Sequence, residues 1–501
     1  MTEIPKYIIN IVNRLETAGF EAFVVGGCVR DIILGKEPRD WDITTDARPE
    51  EMLKVMPESK YENIFGTVLV PIKNDEGGTE EVVEVTTYRS EQGYSDRRHP
   101  DTIRFEDKLD KDLERRDFTV NAMALGKTID KKQLTTDKAE PGQMLDVSGQ
   151  MSLVDLFGGQ KDIKKKIIRA VGEPVDRFKE DALRMIRALR FACELGFEIE
   201  PKTMRAITKL AGSIKFVSGE RIRDELIKIL SSDRPSEGIE LLRETKMLQY
   251  ILPELERGIG VEQNKHHIYT VYKHSVLSLK FCPSSDWRVR LAALLHDIAK
   301  PQTKRFIGGD ATFYNHDAIG ARVTEKIMKR LKFSGADIEK VTLLVRYHMF
   351  YYNVDEVTPA AVRRLLAKVG PENIKDLLDL RIGERLGSGV PKAKPYKLRH
   401  LEYMLKKVQT DPVSVKMLAI NGNDLMGGLK LEPGPKIGAI LDVLLSEVIE
   451  DPALNKKDHL MERSKKLCGL DLAELRQKAK REIEERKMED DQELKKEFWV
   501  K

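Results

Sequence analysis

Cysteine is scarce in this chain: four residues in 501, at positions 28, 193, 282 and 468, with no paired spacing among them. That excludes a disulfide framework and a zinc ribbon, and leaves four reduced, mostly buried thiols. Long apolar runs are missing too; none approaches the roughly 20 residues needed to cross a bilayer. The opening MTEIPKYIINIVNRLETAGF threads charges through its apolar positions at helical spacing, where a signal peptide would carry an unbroken apolar centre. A cytoplasmic chain without membrane contact is therefore expected. Neither charge sign dominates: 86 Lys and Arg against 82 Asp and Glu leave a net +4. A polyanionic partner must then be recognised by local basic clusters, not by a bulk field. Internal repeats are absent. What remains is a chain with 34% charged and 41% hydrophobic residues, too long for one core and expected to form three or four domains.

Strand-like runs (EAFVVGG, WDITTD, TVLVPIK, EVVEVTTYR, NAMALG) alternate with short helical patterns over the first ~125 residues, which predicts an α+β domain. Residues 128–150 are polar, with Gly and Pro and no period, and read as an insertion. Beyond them strands almost vanish, and EDALRMIRALRFACEL, ERIRDELIKIL, RVRLAALLHDIAK and AILDVLLSEVIED predict amphipathic helices. Six of the nine histidines fall between 266 and 348 and mark that stretch as a separate unit. The last ~30 residues interleave both charge signs, as a solvated helix or frayed tail would.

GGCVRDIILGKEPRDWDITTD, residues 26–46, carries the chemistry of the first domain. Gly26 and Gly27 let a buried strand turn into a helix start whose backbone N–H groups suit a phosphate, with Arg30 able to add a charge-assisted contact. In RDWDIT the period of two sends Asp40 and Asp42 to one face and Trp41 to the other. Two such carboxylates can share divalent metals, with Mg²⁺ held by carboxylates and substrate phosphates, and the reaction favoured is phosphoryl transfer. In EVVEVTTYR the same alternation groups Glu84, Thr86 and Tyr88 opposite Val83, Val85 and Thr87, so Glu84 can approach the metals from a neighbouring strand.

The ordered set GGCVRD, RDWDITTD, VEVTTYR, ERRDFTVNAMAL, RFKEDALRMIRALRFA and ERIRDELIKIL resembles the bacterial tRNA CCA-adding nucleotidyltransferases and their poly(A) polymerase relatives over residues ~20–230. SVKMLAINGNDLM and EPGPKIGAILDVLLSEVIEDPALN resemble their C-terminal region. The resemblance implies a polymerase-β-type head (1–150), a helical neck and body (151–260), and a helical tail (401–501). It further implies Asp40 and Asp42 as Mg²⁺ ligands, CTP, ATP and tRNA as partners, and a loop at 90–105 that helps the switch from C to A. The motif Glu180, Asp181, Arg184 would read the base. At helical i, i+3 spacing, Asp181 accepts from the amino group and Arg184 donates to the ring nitrogen, a pattern that cytosine and adenine share and uracil and guanine lack. By resemblance Arg115, Arg116, Asp117 and Asn121 contact ribose and triphosphate, and Arg187 joins the nucleotide set. As bare residues ERRDF reads equally as a charged helix start. Arg221 and Arg223, with KDIKKKIIR, form a basic set suited to triphosphate and tRNA backbone. Poly(A) polymerase, CC-only and A-only addition are the nearest alternatives.

His296 and Asp297 are adjacent inside the apolar LLHDIAKP, downstream of His274 and upstream of His316 and His348. Imidazoles and a carboxylate converging in a helical core make a divalent metal site of one or two ions. Residues 261–400 resemble an HD-type phosphohydrolase domain, which implies metal-activated water attacking a 2′,3′-cyclic phosphate or a nucleotide end. Where such domains supply a last aspartate, this chain offers Glu384, with Asp379 as competitor. His266 and His267 are candidates for a supporting layer. A reading of a different class is an HD phosphohydrolase whose head only binds RNA.

Overall fold

The computed structural model describes residues 4–63, 66–73, 79–92, 102–126, 151–263, 268–307, 310–350, 357–389, 396–408 and 414–475. The 128–150 insertion, residues 93–101 of the expected switching loop, His266, His267 and the chain beyond 475 lie outside them.

Among the described residues nine strands belong to the head: β1 (Ala22–Val25), β2 (Asp42–Thr45), β3 (Lys60–Asn63), β4 (Thr67–Lys73), β5 (Thr79–Thr87), β6 (Arg89–Gln92), β7 (Thr102–Phe105), β8 (Met123–Gly126) and β9 (Ser152–Asp155). Seven form one mixed sheet in the order β3-β4-β5-β2-β1-β8-β9, while β6 and β7 pair as a separate hairpin. Every residue of β1 is buried, as an all-apolar AFVV run at the sheet's centre requires. β2 and β5 run parallel; the other pairings of the large sheet are antiparallel. Since β9 begins at Ser152 and pairs with β8, the head continues past the expected boundary at 150. Val83 and Val85 are buried and Glu84 exposed, as alternation predicts. Tyr88 departs from it: β5 stops at Thr87, the period of two lapses, and the buried Tyr88 donates its hydroxyl to Glu21 Oε2 at 3.2 Å.

Among the described residues the remainder is helical apart from two short strand pairs, Ile167–Ile168 with Glu198–Ile199 and Arg305–Ile307 with Asp310–Thr312. Helix Leu183–Leu195 buries nine of its residues and ends at Gly196, whose φ of +67° favours glycine. One cluster of buried apolar residues runs from Ile4 through the neck into the helices up to Val408, and Arg290 bonds Leu230 O (2.7 Å) and Ser232 O (2.8 Å) at the end of helix Gly219–Ser231. At the other end of that helix a Cβ on Gly219 would lie 2.7 Å from Arg330 O. Residues 418–475 gather around a second apolar cluster.

Candidate active site and a buried histidine cluster

Gly26 has φ +86° and turns β1 into the short helix Gly27–Ile33. The β1–β2 register sets Val25 opposite Asp42, so the turn abuts the acidic motif. A Cβ on Gly26 would stand 3.0 Å from Arg116 Nη1 and 3.4 Å from Asp42 Oδ2, so glycine is needed there for space as well as for φ. Trp41 is buried in the core beneath. Asp42 opens β2, whereas the exposed Asp40 lies in the bend before it, so the two are not both strand residues. The parallel β2–β5 register aligns Asp42 with Glu84. Burial pushes the Asp42 carboxyl up; Arg116 opposes this, and Asp40 adds to it. Glu84 is pushed up by burial and then by Asp42, Glu62 and Asp40. Glu62, on the outer strand β3, is an acid that the sequence pattern does not single out. A group of carboxylates that repel one another is stabilised by a divalent cation between them.

Asp112 is a second residue the sequence reading missed, although its i+3 and i+4 spacing to two arginines is a signal. Fully buried, it binds Arg115 (2.6 Å) and Arg116 (3.1 Å), orienting the guanidinium that faces Asp42. ERRDF begins at Glu114, the last residue of helix Leu109–Glu114, so it marks a helix end, not a start. Asp117 accepts from its neighbour's Phe118 N (2.9 Å), Asn121 Nδ2 (3.2 Å) and Arg187 Nε (2.8 Å). Burial opposes its charge, yet Arg187 prevails and holds the carboxyl below its ordinary range. Asn121 Oδ1 in turn accepts from Arg30 Nη1 at 2.8 Å. Arg30 is buried and also grips Asp31, so in this structure it braces the turn.

Asp181 and Arg184 do not stand side by side on one helix. Helix Pro174–Glu180 stops at Asp181, which is extended at φ −136°, and a new helix begins at Leu183. The break arises where Asp181 Oδ1 accepts the Leu183 N–H (2.9 Å), a side-chain bond that competes with helix continuation. Asp181 pairs with Arg221 (2.6 Å), and Arg184 with Glu180 (2.6 Å) and Arg115 O (3.2 Å). Arg115 is the neighbour of Arg116, so one short segment links the Asp42 carboxylate to the motif after Phe178. Arg223 leaves this group: it bonds Asp224 and the Lys332 carbonyl, at the junction with the histidine-rich helices.

His274, His296, Asp297, His316 and His348 converge in the core, all 9% exposed or less. The Asp297 carboxylate is their centre: Oδ2 lies 3.1 Å from His296 Nε2 and 3.3 Å from His274 Nε2, and Oδ1 lies 3.4 Å from His316 Nε2 and 3.8 Å from His348 Nε2. Burial opposes the Asp297 charge, but His296 and Lys300 hold it well below the usual range. His348 is pushed down to about 3, first by burial and then by His296, so it is neutral at pH 7. Glu384, buried, faces His296 and His348, whereas Asp379 pairs with Lys375 at 2.7 Å. Glycines decide between them: a Cβ on Gly383 would stand 2.6 Å from Ser278 O, so helix Ile374–Gly387 presses against helix Val271–Phe281 and carries Glu384 inward. Lys300, absent from the sequence-derived set, binds Asp297 Oδ2 at 2.7 Å.

A model of the poly A polymerase head domain matches residues 22–169, one of the RNA- and SrmB-binding site of polymerase A matches 196–259, and one of tRNA nucleotidyltransferase domain 2 matches 316–463. An A-adding tRNA nucleotidyltransferase of Deinococcus radiodurans is 32% identical over 84% of this chain and 90% of its own. A CCA-adding enzyme of Enterococcus faecalis is 30% identical over 93% and 98%. The crystal structure of the Bacillus stearothermophilus CCA-adding enzyme in complex with CTP aligns at a TM-score of 0.63 with 26% identity, covering 91% of this chain and 97% of that one.

Proposed function

This chain belongs to the tRNA nucleotidyltransferase family, and from that premise we propose that it completes tRNA 3′ ends by template-independent transfer of CMP, CMP and AMP from CTP and ATP. The observation that carries the reading is the meeting of Asp42, Glu84 and the Gly26 turn on adjacent interior strands, where β1 ends and β2 begins. Divalent Mg²⁺ fits this set: Asp40 and Asp42, with Glu84 beside them, would hold it, and bound there it would activate the attacking 3′ hydroxyl and steady the leaving pyrophosphate. Arg116, steered by Asp112, supplies positive charge next to the acids for the triphosphate. Base choice falls to Asp181 and Arg184. In the free chain they are engaged by Arg221 and Glu180, so a nucleotide must exchange those partners for its own amino and ring-nitrogen groups. A cytoplasmic location, where tRNA matures, goes with this activity. Among the described residues no helix is long and apolar enough to cross a membrane.

The histidine cluster supports a second, metal-dependent activity on phosphate esters. Its imidazoles and carboxylate form the donor set for a divalent ion, and a bound ion would activate water for attack on phosphorus.

The test gives purified protein tRNAs that end before, within and after CCA, with labelled CTP or ATP, and sequences the products. Completion that stops after A is expected. Addition of A alone to ends already carrying CC would place the chain with the D. radiodurans relative instead, and long A tails on unrelated RNA would make it a poly(A) polymerase. If the head only bound RNA, Asp42→Ala would leave activity untouched and His296→Ala would remove it; the opposite pattern is expected for nucleotide transfer.

A further inference from the structure

One helix end serves both halves of the nucleotide site. Given the reading that Arg116 faces the triphosphate and that Asp181 and Arg184 face the base, on which the inference rests, we propose that Asp112 is a positioning residue for both. It locks the end of helix Leu109–Glu114, and that end fixes the distance between the phosphate site and the base-reading arginine.

The carboxylate divides its oxygens between two arginines. Asp112 Oδ1 accepts from Arg115 Nε (2.9 Å) and Nη2 (2.6 Å), and Oδ2 accepts from Arg116 Nη2 (3.1 Å). Burial opposes the charge, but Arg115 and Arg116 hold the carboxyl below its ordinary range, so it is ionised at pH 7. Arg116 Nη1 is thereby held against the Gly26 turn and Asp42. The Arg115 side chain goes to Asp112, and its carbonyl serves the neighbouring motif. A helix leaves its last carbonyls without intrahelical partners, and here two guanidiniums take them: Arg177 Nη1 donates to Glu114 O (3.1 Å) and Arg184 Nη2 to Arg115 O (3.2 Å). Glu180 ties these arginines together, with Oε1 on Arg177 Nη2 (2.7 Å) and Oε2 on Arg184 Nη1 (2.6 Å). Because a guanidinium is a rigid planar fork, holding Nη2 on a carbonyl restricts where Nη1 can go. When a base displaces Glu180 from Nη1, the Arg115 carbonyl keeps that nitrogen aimed at the ring nitrogen. Two arms therefore leave one buried carboxylate, Arg116 towards the acids and Arg115 O towards Arg184. An error of about 1 Å in such an arm costs on the order of 10²-fold in rate.

The test reads the two halves separately on the full chain. Inhibition by inorganic tripolyphosphate reports the phosphate site, the ratio of CTP to UTP incorporation into tRNA lacking CCA reports base choice, and circular dichroism confirms folding. Asp112→Asn puts an amide N–H against one of the two arginines, and is expected to weaken tripolyphosphate inhibition and the preference for C over U by about 10-fold each. Arg177→Met, which leaves Asp112 and both its partners in place, is expected to lower the preference by about 5-fold without altering the inhibition. If Asp112→Asn moves only one of the two readouts, or if Arg116→Met lowers base choice as much as Asp112→Asn does, the proposal falls and the assignment of the base readers stands. Should Asp112→Asn fail to fold, Arg177→Met decides alone, and an unchanged preference there overturns the proposal. An unchanged preference in Arg184→Met would instead remove the base-reading assignment itself.

Discussion

Asp42 is a carboxylate kept where its surroundings oppose its charge, and that tension is measurable. Because its folded pKa is raised, the penalty is present above that value and vanishes below the ordinary 3.8. Asp42→Asn is therefore expected to stabilise the protein at pH 7, with the gain disappearing in urea titrations taken down through the carboxylate range. The same substitution lowers nucleotide transfer by at least about 10³-fold, the order of several kcal/mol of lost metal stabilisation. Millimolar Mg²⁺ raises the thermal midpoint of the unsubstituted protein and leaves the variant unmoved. Asp181→Ala acts on choice instead. Losing one buried, discriminating hydrogen bond of about 1–3 kcal/mol reduces the preference for C and A over U and G by about 10–100-fold, read from single-nucleotide incorporation. Period-two alternation made the exposure of Glu84 between buried Val83 and Val85 legible in the sequence, but it did not hold for the acidic pair, since Asp40 lies in a bend before β2. The helical argument for Asp181 and Arg184 failed, since a side chain that can bond its own backbone breaks the helix at the motif.

Single caps and single glycines position whole elements. Helix Trp287–Leu295, which leads into His296 and Asp297, begins at Asp286, whose carboxylate accepts Arg288 N (2.9 Å) and pairs with Arg288 (2.8 Å) and Lys340 (3.1 Å). Against the opposing effect of burial, these hold its pKa down to about 2. The sign follows: a depressed carboxylate contributes stability above about 3.8 that is lost as pH falls towards about 2. Asp286→Ala is expected to cost about 1–2 kcal/mol at pH 7 and much less at pH 2.5, measured by denaturant unfolding. Between helices Val271–Phe281 and Ile374–Gly387 no side chain fits at Gly383. Gly383→Val should destabilise by about 1–3 kcal/mol, as overpacking does, and shift Glu384 away from His296 and His348. Sequence spacing alone could not choose between Glu384 and Asp379, because the choice is made by how closely two distant helices approach.

For the whole molecule the decisive feature is one apolar core joining head, neck and histidine helices, with the tail on a core of its own. Calorimetry is expected to show two transitions. Arg290→Met, which removes the bonds to Leu230 O and Ser232 O, lowers the larger one by about 2 kcal/mol and leaves the tail's unchanged. By itself the sequence determined the strand and helix periods, the acidic pair flanking a buried tryptophan, the histidine set and the order of the motifs, all of which depend on spacing along one segment. Tertiary structure alone decided that Arg30 braces the glycine turn, that Arg223 joins the neck to the histidine helices, and that Lys300 reaches Asp297. Such partnerships depend on which side chains meet in a shared low-dielectric interior, where each buried charge must find an opposite one, and no local period records which one it will be.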